Sequence, residues 1–162
     1  MKDFEKRAHE AMPAPQAPGA RVLMVTAPYY RDVTDMMQRG VEVAAEAAGV
    51  KLDRVFVPGA FEIPAAIAHA GKLDVYDGFV ALGCVVRGET SHYDYVCGES
   101  ARGLMDLSIQ EGYAIGYGIL TVENLAQAEE RADTARGDKG GEALKACVSL
   151  IALKRRLPEI VG

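Results

Sequence analysis

What most constrains the fold of this chain is an alternation along it. Short apolar runs are separated by longer stretches whose apolar residues return every three or four positions. Val22-Leu23-Met24-Val25-Thr26-Ala27 is the first run. Lys51 to Val57, stopped by Pro58-Gly59, Phe79 to Val86, and Ala114 to Leu120 read as the other strands. Between the first two, Val33, Met36, Met37, Val41, Ala44, Ala45 and Ala48 share one side of a helix over 32–49, closed by Gly49. Further helices are expected over 63–71, 91–112, 124–136 and 140–156. Continuous apolar strands have no face to give to water, so their sheet must be covered on both sides. Strand and helix in turn therefore predict a three-layer α/β/α sandwich on four parallel strands.

The 162 residues suit one such domain, spanning 21–162. Residues 1–20 are set apart as a flexible arm, because Pro13, Pro15 and Pro18 interrupt helix and ladder alike. A formal charge of −5 lacks the basic footprint that duplex DNA needs, so no nucleic-acid partner is expected. No apolar run approaches the ~18 residues of a membrane span, so no membrane partner is expected either. Cys84, Cys97 and Cys147 form no CxxC pair, and Met1-Lys2-Asp3-Phe4-Glu5 opens without the apolar stretch of a secretory leader. A cytoplasmic location is the expectation.

In a parallel sheet, ligands gather at the carboxyl ends of the strands. After the first strand stand Tyr29 and Tyr30, rings able to stack on a planar ligand, although taken alone the pair favours one ring packed on the core and the other solvated. After the second comes Pro58-Gly59-Ala60-Phe61-Glu62, where Glu62 either favours a helix start or accepts hydrogen bonds from ligand hydroxyls. The third loop is the densest: Cys84-Val85-Val86-Arg87-Gly88-Glu89-Thr90-Ser91-His92-Tyr93-Asp94. It runs from a strand through a glycine turn into a helix whose first N–H groups suit a phosphate, with His92 in the first turn as a candidate for proton transfer. After the fourth strand, Arg131 could bind phosphate through its planar fork, although composition alone favours a surface pair with Glu129, Glu130 or Asp133. No GxxxxGK[ST], HExxH or GxSxG pattern occurs, and the three His and three Cys have no metal-ligand spacing. A site without metal or cofactor is expected.

Taken together, Val57-Pro58-Gly59-Ala60-Phe61-Glu62-Ile63-Pro64, the run from Leu82 to Val96, and Gly118-Ile119-Leu120-Thr121-Val122-Glu123-Asn124 with Gln127-Ala128 and Arg131-Ala132 resemble the 6,7-dimethyl-8-ribityllumazine synthase family. Gly137-Asp138-Lys139-Gly140 is similar to that family's glycine-lysine-glycine turn, and the likeness covers about residues 21–156. The resemblance implies a flavodoxin-like fold. It implies the penultimate step of riboflavin biosynthesis: 5-amino-6-(D-ribitylamino)uracil condenses with 3,4-dihydroxy-2-butanone 4-phosphate, giving the lumazine, phosphate and water without a cofactor. By the same resemblance, Tyr29 stacks on the pyrimidine. Ala60, Phe61 and Glu62 hold the ribityl chain and ring, and Cys84, Val85 and Val86 read the ring edge through backbone groups. Glu89 and Thr90 bind the butanone phosphate, His92 transfers the proton, and Tyr117 and Arg131 complete the site from a neighbouring subunit, with Lys139 as a second cation. The loop departs from the family in reading Tyr29-Tyr30 where an aromatic-Asn pair is usual, and Tyr117 stands where Phe is common.

The resemblance further implies a homopentamer, with riboflavin synthase as a candidate partner. Val96, Leu104 and Leu107, with the small residues Gly98, Ala101 and Gly103, offer a helix face for assembly, unless they face only the chain's own sheet. The prolines of the arm favour free pentamers, while the short turn at 137–140 tips the expectation toward a sixty-subunit shell. Two other classes stay open: a paralogue that holds a flavin or lumazine without turnover, and a purely structural shell protein.

Overall fold

A computed structural model describes residues 13–162. Four strands, β1 (Arg21–Thr26), β2 (Lys51–Phe56), β3 (Gly78–Val86) and β4 (Ala114–Val122), form one parallel sheet in the order β2-β1-β3-β4. Five α-helices surround it: α1 (Arg31–Ala48), α2 (Ile63–Gly71), α3 (His92–Gln110), α4 (Leu125–Ala132) and α5 (Lys139–Val161). A single 3-10 turn, Ala60–Glu62, leads into α2. The expected three-layer sandwich on four parallel strands is what the chain adopts.

The apolar pattern explains the layers. Alternate residues of β1 and β3 point to opposite faces. Val22, Met24, Val80 and Leu82 meet Met37, Val41, Leu144 and Val148 from α1 and α5 on one side. Leu23, Val25, Phe79 and Ala81 meet Ile63, Ile67, Val96 and Leu104 from α2 and α3 on the other. The sheet is therefore buried on both faces at its centre, and only the edge strand β2, with Lys51, Arg54, Val55 and Phe56, is largely exposed. Helix α1 stops at Gly49, whose φ of 75° is the left-handed conformation that glycine adopts without strain.

Some boundaries differ from those expected, each for a local reason. β4 continues past Leu120 because Thr121 and Val122 still pair with Val85 and Val86. α4 stops at Ala132 rather than 136 because the Asp133 carboxylate accepts the Ala135 N–H (2.9 Å) and draws the chain out of the helix. α5 runs past 156, through Pro158, to Val161.

The expectation of a flexible arm through residue 20 meets a docked segment over its described part. Ala17 and Ala20 are fully buried, and the Ala17 and Gly19 N–H groups donate to Ala48 O (3.1 Å) and Gly49 O (2.9 Å). Small side chains let this stretch lie against the end of α1 with its backbone bonded, which its prolines do not prevent. Residues 1–12 of the arm lie outside the described residues. On α3, Val96, Leu104 and Leu107 face the chain's own sheet, and Gly103 approaches Pro64 of α2. The apolar side chains that α3 presents outward are Tyr95, Met105 and Ile109.

Helix α5 crosses β4 so closely that a Cβ on Gly116 would run into the Ala143 carbonyl. Gly116→Ala should therefore destabilise the protein by about 1–3 kcal/mol through overpacking, read as a lower thermal midpoint. An unchanged midpoint would show that α5 can shift without cost.

Candidate functional site

The strand order reverses between β1 and β3: the chain steps from β1 out to β2, then crosses back to β3 on the other side of β1. Helix α1, after β1, packs on one face, and α3, after β3, packs on the other. Their departures in opposite directions leave a crevice at the carboxyl ends of β1 and β3. A cavity of about 650 Å³ lies there, lined by Ala27, Tyr29, Tyr30, the Pro58–Glu62 loop, Cys84, Val85, Val86, His92 and Val96.

The floor follows from strand lengths. Pairing of β1 with β3 ends at Thr26 opposite Leu82, yet β3 runs on to Val86. The last residues of β3 thus carry backbone groups on the β1 side that no strand claims, and buried backbone polar groups need partners. Cys84 is buried beneath them, and burial pushes its thiol up to about 11, so it is a neutral wall group rather than a nucleophile.

The rim is aromatic. Tyr29 is 77 % exposed and Phe61 58 %, unusual exposure for rings unless something covers them. Tyr30 is half-buried and meets Tyr29 edge-on, with centroids 4.9 Å apart. Burial first, then Tyr29 and Cys84, holds the Tyr30 phenol above its ordinary range. Tyr29 is therefore the more open ring of the pair. Glu62, exposed at the cavity edge, ends the 3-10 turn and makes no side-chain cap bond to α2. It stands at the N-cap position of α2, so its favourable place at a helix start and its availability to ligand hydroxyls are both kept. His92 is exposed in the first turn of α3, and its backbone N–H donates to Thr90 Oγ1 (3.3 Å).

The remaining candidates stand elsewhere. Tyr117, Arg131 and Lys139 line a separate cleft of about 220 Å³ with Gly118, Ile119, Leu120 and Thr121, and the two cavities share no lining residue. Arg131 forms no salt bridge among the described residues: Asp133 pairs with Arg136 (3.1 Å), and Arg131 Nη1 donates to Gln127 O of its own helix (3.1 Å). Lys139 pairs with Glu142 (2.8 Å). Glu89 and Thr90 line neither cavity and sit exposed on the loop between β3 and α3. Tyr30, Pro58 and Gly59, named from the strand-end loops, also line the larger cavity, and so do Ala27 and Val96. Ala27 and Val96 had no chemical signal in the sequence, since small and apolar residues carry no chemical flag.

The profile of the 6,7-dimethyl-8-ribityllumazine synthase family matches residues 19–155. Among proteins of that name, the one from Novosphingobium aromaticivorans is 53% identical over 137 residues, covering 85% of this chain and 98% of its own. The protein from Methylobacterium radiotolerans is 52% identical over 149 residues, 90% of this chain and 91% of its own. From Rhizobium meliloti, 6,7-dimethyl-8-ribityllumazine synthase 1 is 54% identical over 142 residues, 84% and 92% of the two chains.

Thiol reactivity tests the buried floor. Cys147, fully buried, is pushed up to about 12, and Cys84 to about 11. Both are protonated at pH 8 and become thiolates only as the pH climbs toward those values. Iodoacetamide at pH 8 should leave Cys84 and Cys147 unmodified in the native protein and label both in urea, as read by peptide mass spectrometry. Rapid native labelling of Cys84 would mean an open floor.

Proposed function

This chain belongs to the 6,7-dimethyl-8-ribityllumazine synthase family, and from that premise we propose how its residues divide the work. It is a transferase of riboflavin biosynthesis that condenses 5-amino-6-(D-ribitylamino)uracil with 3,4-dihydroxy-2-butanone 4-phosphate to 6,7-dimethyl-8-ribityllumazine, phosphate and water. We propose that the pyrimidine occupies the larger cavity. Tyr29 offers its open face to the ring, the backbone groups of the Cys84-Val85-Val86 stretch that face away from β4 bond the ring edge, and Ala60, Phe61 and Glu62 receive the ribityl chain. A polyol needs acceptors and donors, and the exposed Glu62 carboxylate supplies two acceptor oxygens.

The substrate amine is itself the nucleophile toward the ketone. The protein has to hold two molecules in register, anchor a phosphate and move protons. Orientation of two reactants can by itself supply several kcal/mol. His92, exposed at the cavity wall in the first turn of α3, is the proposed proton carrier. The phosphate is assigned to the Glu89-Thr90 loop, with Glu89 engaged through its backbone N–H because its side chain is anionic, and to Arg131 and Lys139.

The observation that carries the assembly is the division of these groups between two cavities with no common wall residue. We propose that a second copy brings its Tyr117, Arg131 and Lys139 to the His92 cavity, in a homopentamer with a site at each interface. The outward row of Tyr95, Met105 and Ile109 on α3 supports contact between copies. The short turn before α5 favours closure of pentamers into a sixty-subunit shell. No helix among the described residues is long and apolar enough to cross a membrane, and we place the enzyme in the cytoplasm. Riboflavin synthase is the proposed partner downstream.

Kinetic constants separate the roles. His92→Ala should lower kcat by about a hundredfold, the lower end of what acid–base catalysis contributes, with both KM values little changed. Arg131→Ala should raise KM for the butanone phosphate by roughly tenfold to a hundredfold, the worth of a charge-assisted contact, and leave KM for the pyrimidine alone. Equal effects on the two substrates would remove Arg131 from the phosphate.

Mixing tests the shared site. His92→Ala and Arg131→Ala chains, unfolded and refolded together, should turn over faster than the mean of the two alone, because some interfaces regain both groups. No gain on mixing, or a monomer by light scattering, would sink the shared site. A mass near five chains would remove only the shell.

A further inference from the structure

We propose that Arg87, which lines neither cavity, is a positioning residue for this reaction: it staples the loop that carries Glu89, Thr90 and His92. The inference rests on the assignment of that loop to phosphate and proton transfer. Between the end of β3 and the first turn of α3, residues 87–91 are all exposed, and Ser91 makes no side-chain cap bond to α3. The loop's own restraint is slight: the His92 N–H donates to Thr90 Oγ1 (3.3 Å), and the Ser91 carbonyl accepts from the Asp94 (3.0 Å) and Tyr95 (3.4 Å) N–H groups as α3 begins. Arg87 supplies what the loop lacks. Its backbone N–H donates to Val122 O (2.9 Å), continuing the β3–β4 ladder by one bond. Its guanidinium Nε donates to both carboxylate oxygens of Glu123, at 2.9 and 3.1 Å. Nη1 lies 3.5 Å from Asp94 Oδ1, and the guanidinium carbon stands 4.3 Å from the centre of the Tyr93 ring.

One planar side chain thus joins the end of β4, the end of β3 and the first turn of α3. The segment between Arg87 and Asp94 is closed at both ends, and it contains Glu89, Thr90 and His92. Planar geometry matters here. A guanidinium can bond one carboxylate through Nε, reach a second through Nη1 and lie flat over a ring at the same time, which the compact ammonium of lysine does not reproduce. Arg87 also offsets part of the charge of Asp94 and Glu123, which would otherwise repel an incoming phosphate and each other more strongly. Glu123 precedes Asn124, the side-chain cap of α4, whose last turn carries Arg131.

Single pairs of this exposure contribute little to stability, so the effect belongs to the loop's placement and not to the fold. Arg87→Ala should leave the thermal midpoint and the assembled mass unchanged. It should raise KM for the butanone phosphate and lower kcat, together cutting kcat/KM by about tenfold or more, with KM for the pyrimidine unchanged. Arg87→Lys should recover little of the loss. Full recovery in Arg87→Lys would show that charge alone suffices and overturn the staple. So would unchanged kinetics, a parallel rise in both KM values, or a loss that tracks a lower thermal midpoint. Arg131→Ala, measured alongside, separates the two levels. If it spares the butanone phosphate KM, the phosphate assignment itself fails. If it raises that KM while Arg87→Ala does nothing, only the role of Arg87 falls.

Discussion

Everything at the site follows from the place where the sheet changes direction. β1 and β3 are hydrogen-bonded neighbours, but the helices after them must cover different faces, because a central parallel strand has two apolar faces to bury. Two connections leaving one point in opposite directions cannot fill the space between them. The crevice is therefore a consequence of burying the sheet, and its lining is fixed by whatever residues follow β1, β2 and β3. The extra length of β3 beyond the last β1 pair then gives the crevice a floor of backbone donors and acceptors.

The same sheet leaves part of the chain's surface open. β4 is an edge strand, and its α5 side is closed by contact so tight that glycine is required at position 116. Its other side is not covered along its whole length: Ile115 and Ile119 are buried, but Tyr117 and Thr121, on the same face, are exposed. Tyr117 and Thr121 thus line the smaller cleft together with Arg131. The outward residues Tyr95, Met105 and Ile109 of α3 leave a second apolar surface open. In the proposed assembly a partner copy would cover one of these exposed faces and complete the other.

Electrostatics serve placement more than stability. In a chain of net charge −5, the groups suited to a phosphate are local exceptions. Arg131 is kept from its neighbouring carboxylates because Asp133 turns to cap its own loop and to hold Arg136. Arg87 goes the other way and is fully engaged by Glu123, Asp94 and Tyr93. The two arginines thus differ in their surroundings, one without a carboxylate partner among the described residues and one held by two carboxylates and a ring.

The alternation of apolar runs and helical periods determined the layers and the parallel sheet by itself, because burial on both faces leaves no other arrangement for such strands. Position at strand ends determined which loops to inspect, and the spacing around Glu62, His92 and Arg131 carried the family likeness. Other properties needed the folded chain. Val96 and Leu104 read as a plausible assembly face until the packing of α3 turned them inward, since a helical period gives a stripe but not its direction. The proline-rich stretch before β1 was docked by small buried alanines whose partners lie some thirty residues away. Arg87 was one charge among many in a crowded loop, and its role emerged only where Glu123, distant in sequence, came within 2.9 Å. Nearness between residues far apart in the chain is decided by packing and register, and no local pattern encodes it. For that reason sequence named the candidate residues and, through the family likeness, expected Tyr117 and Arg131 from another subunit, while the folded chain is what shows them lining a cleft apart from His92.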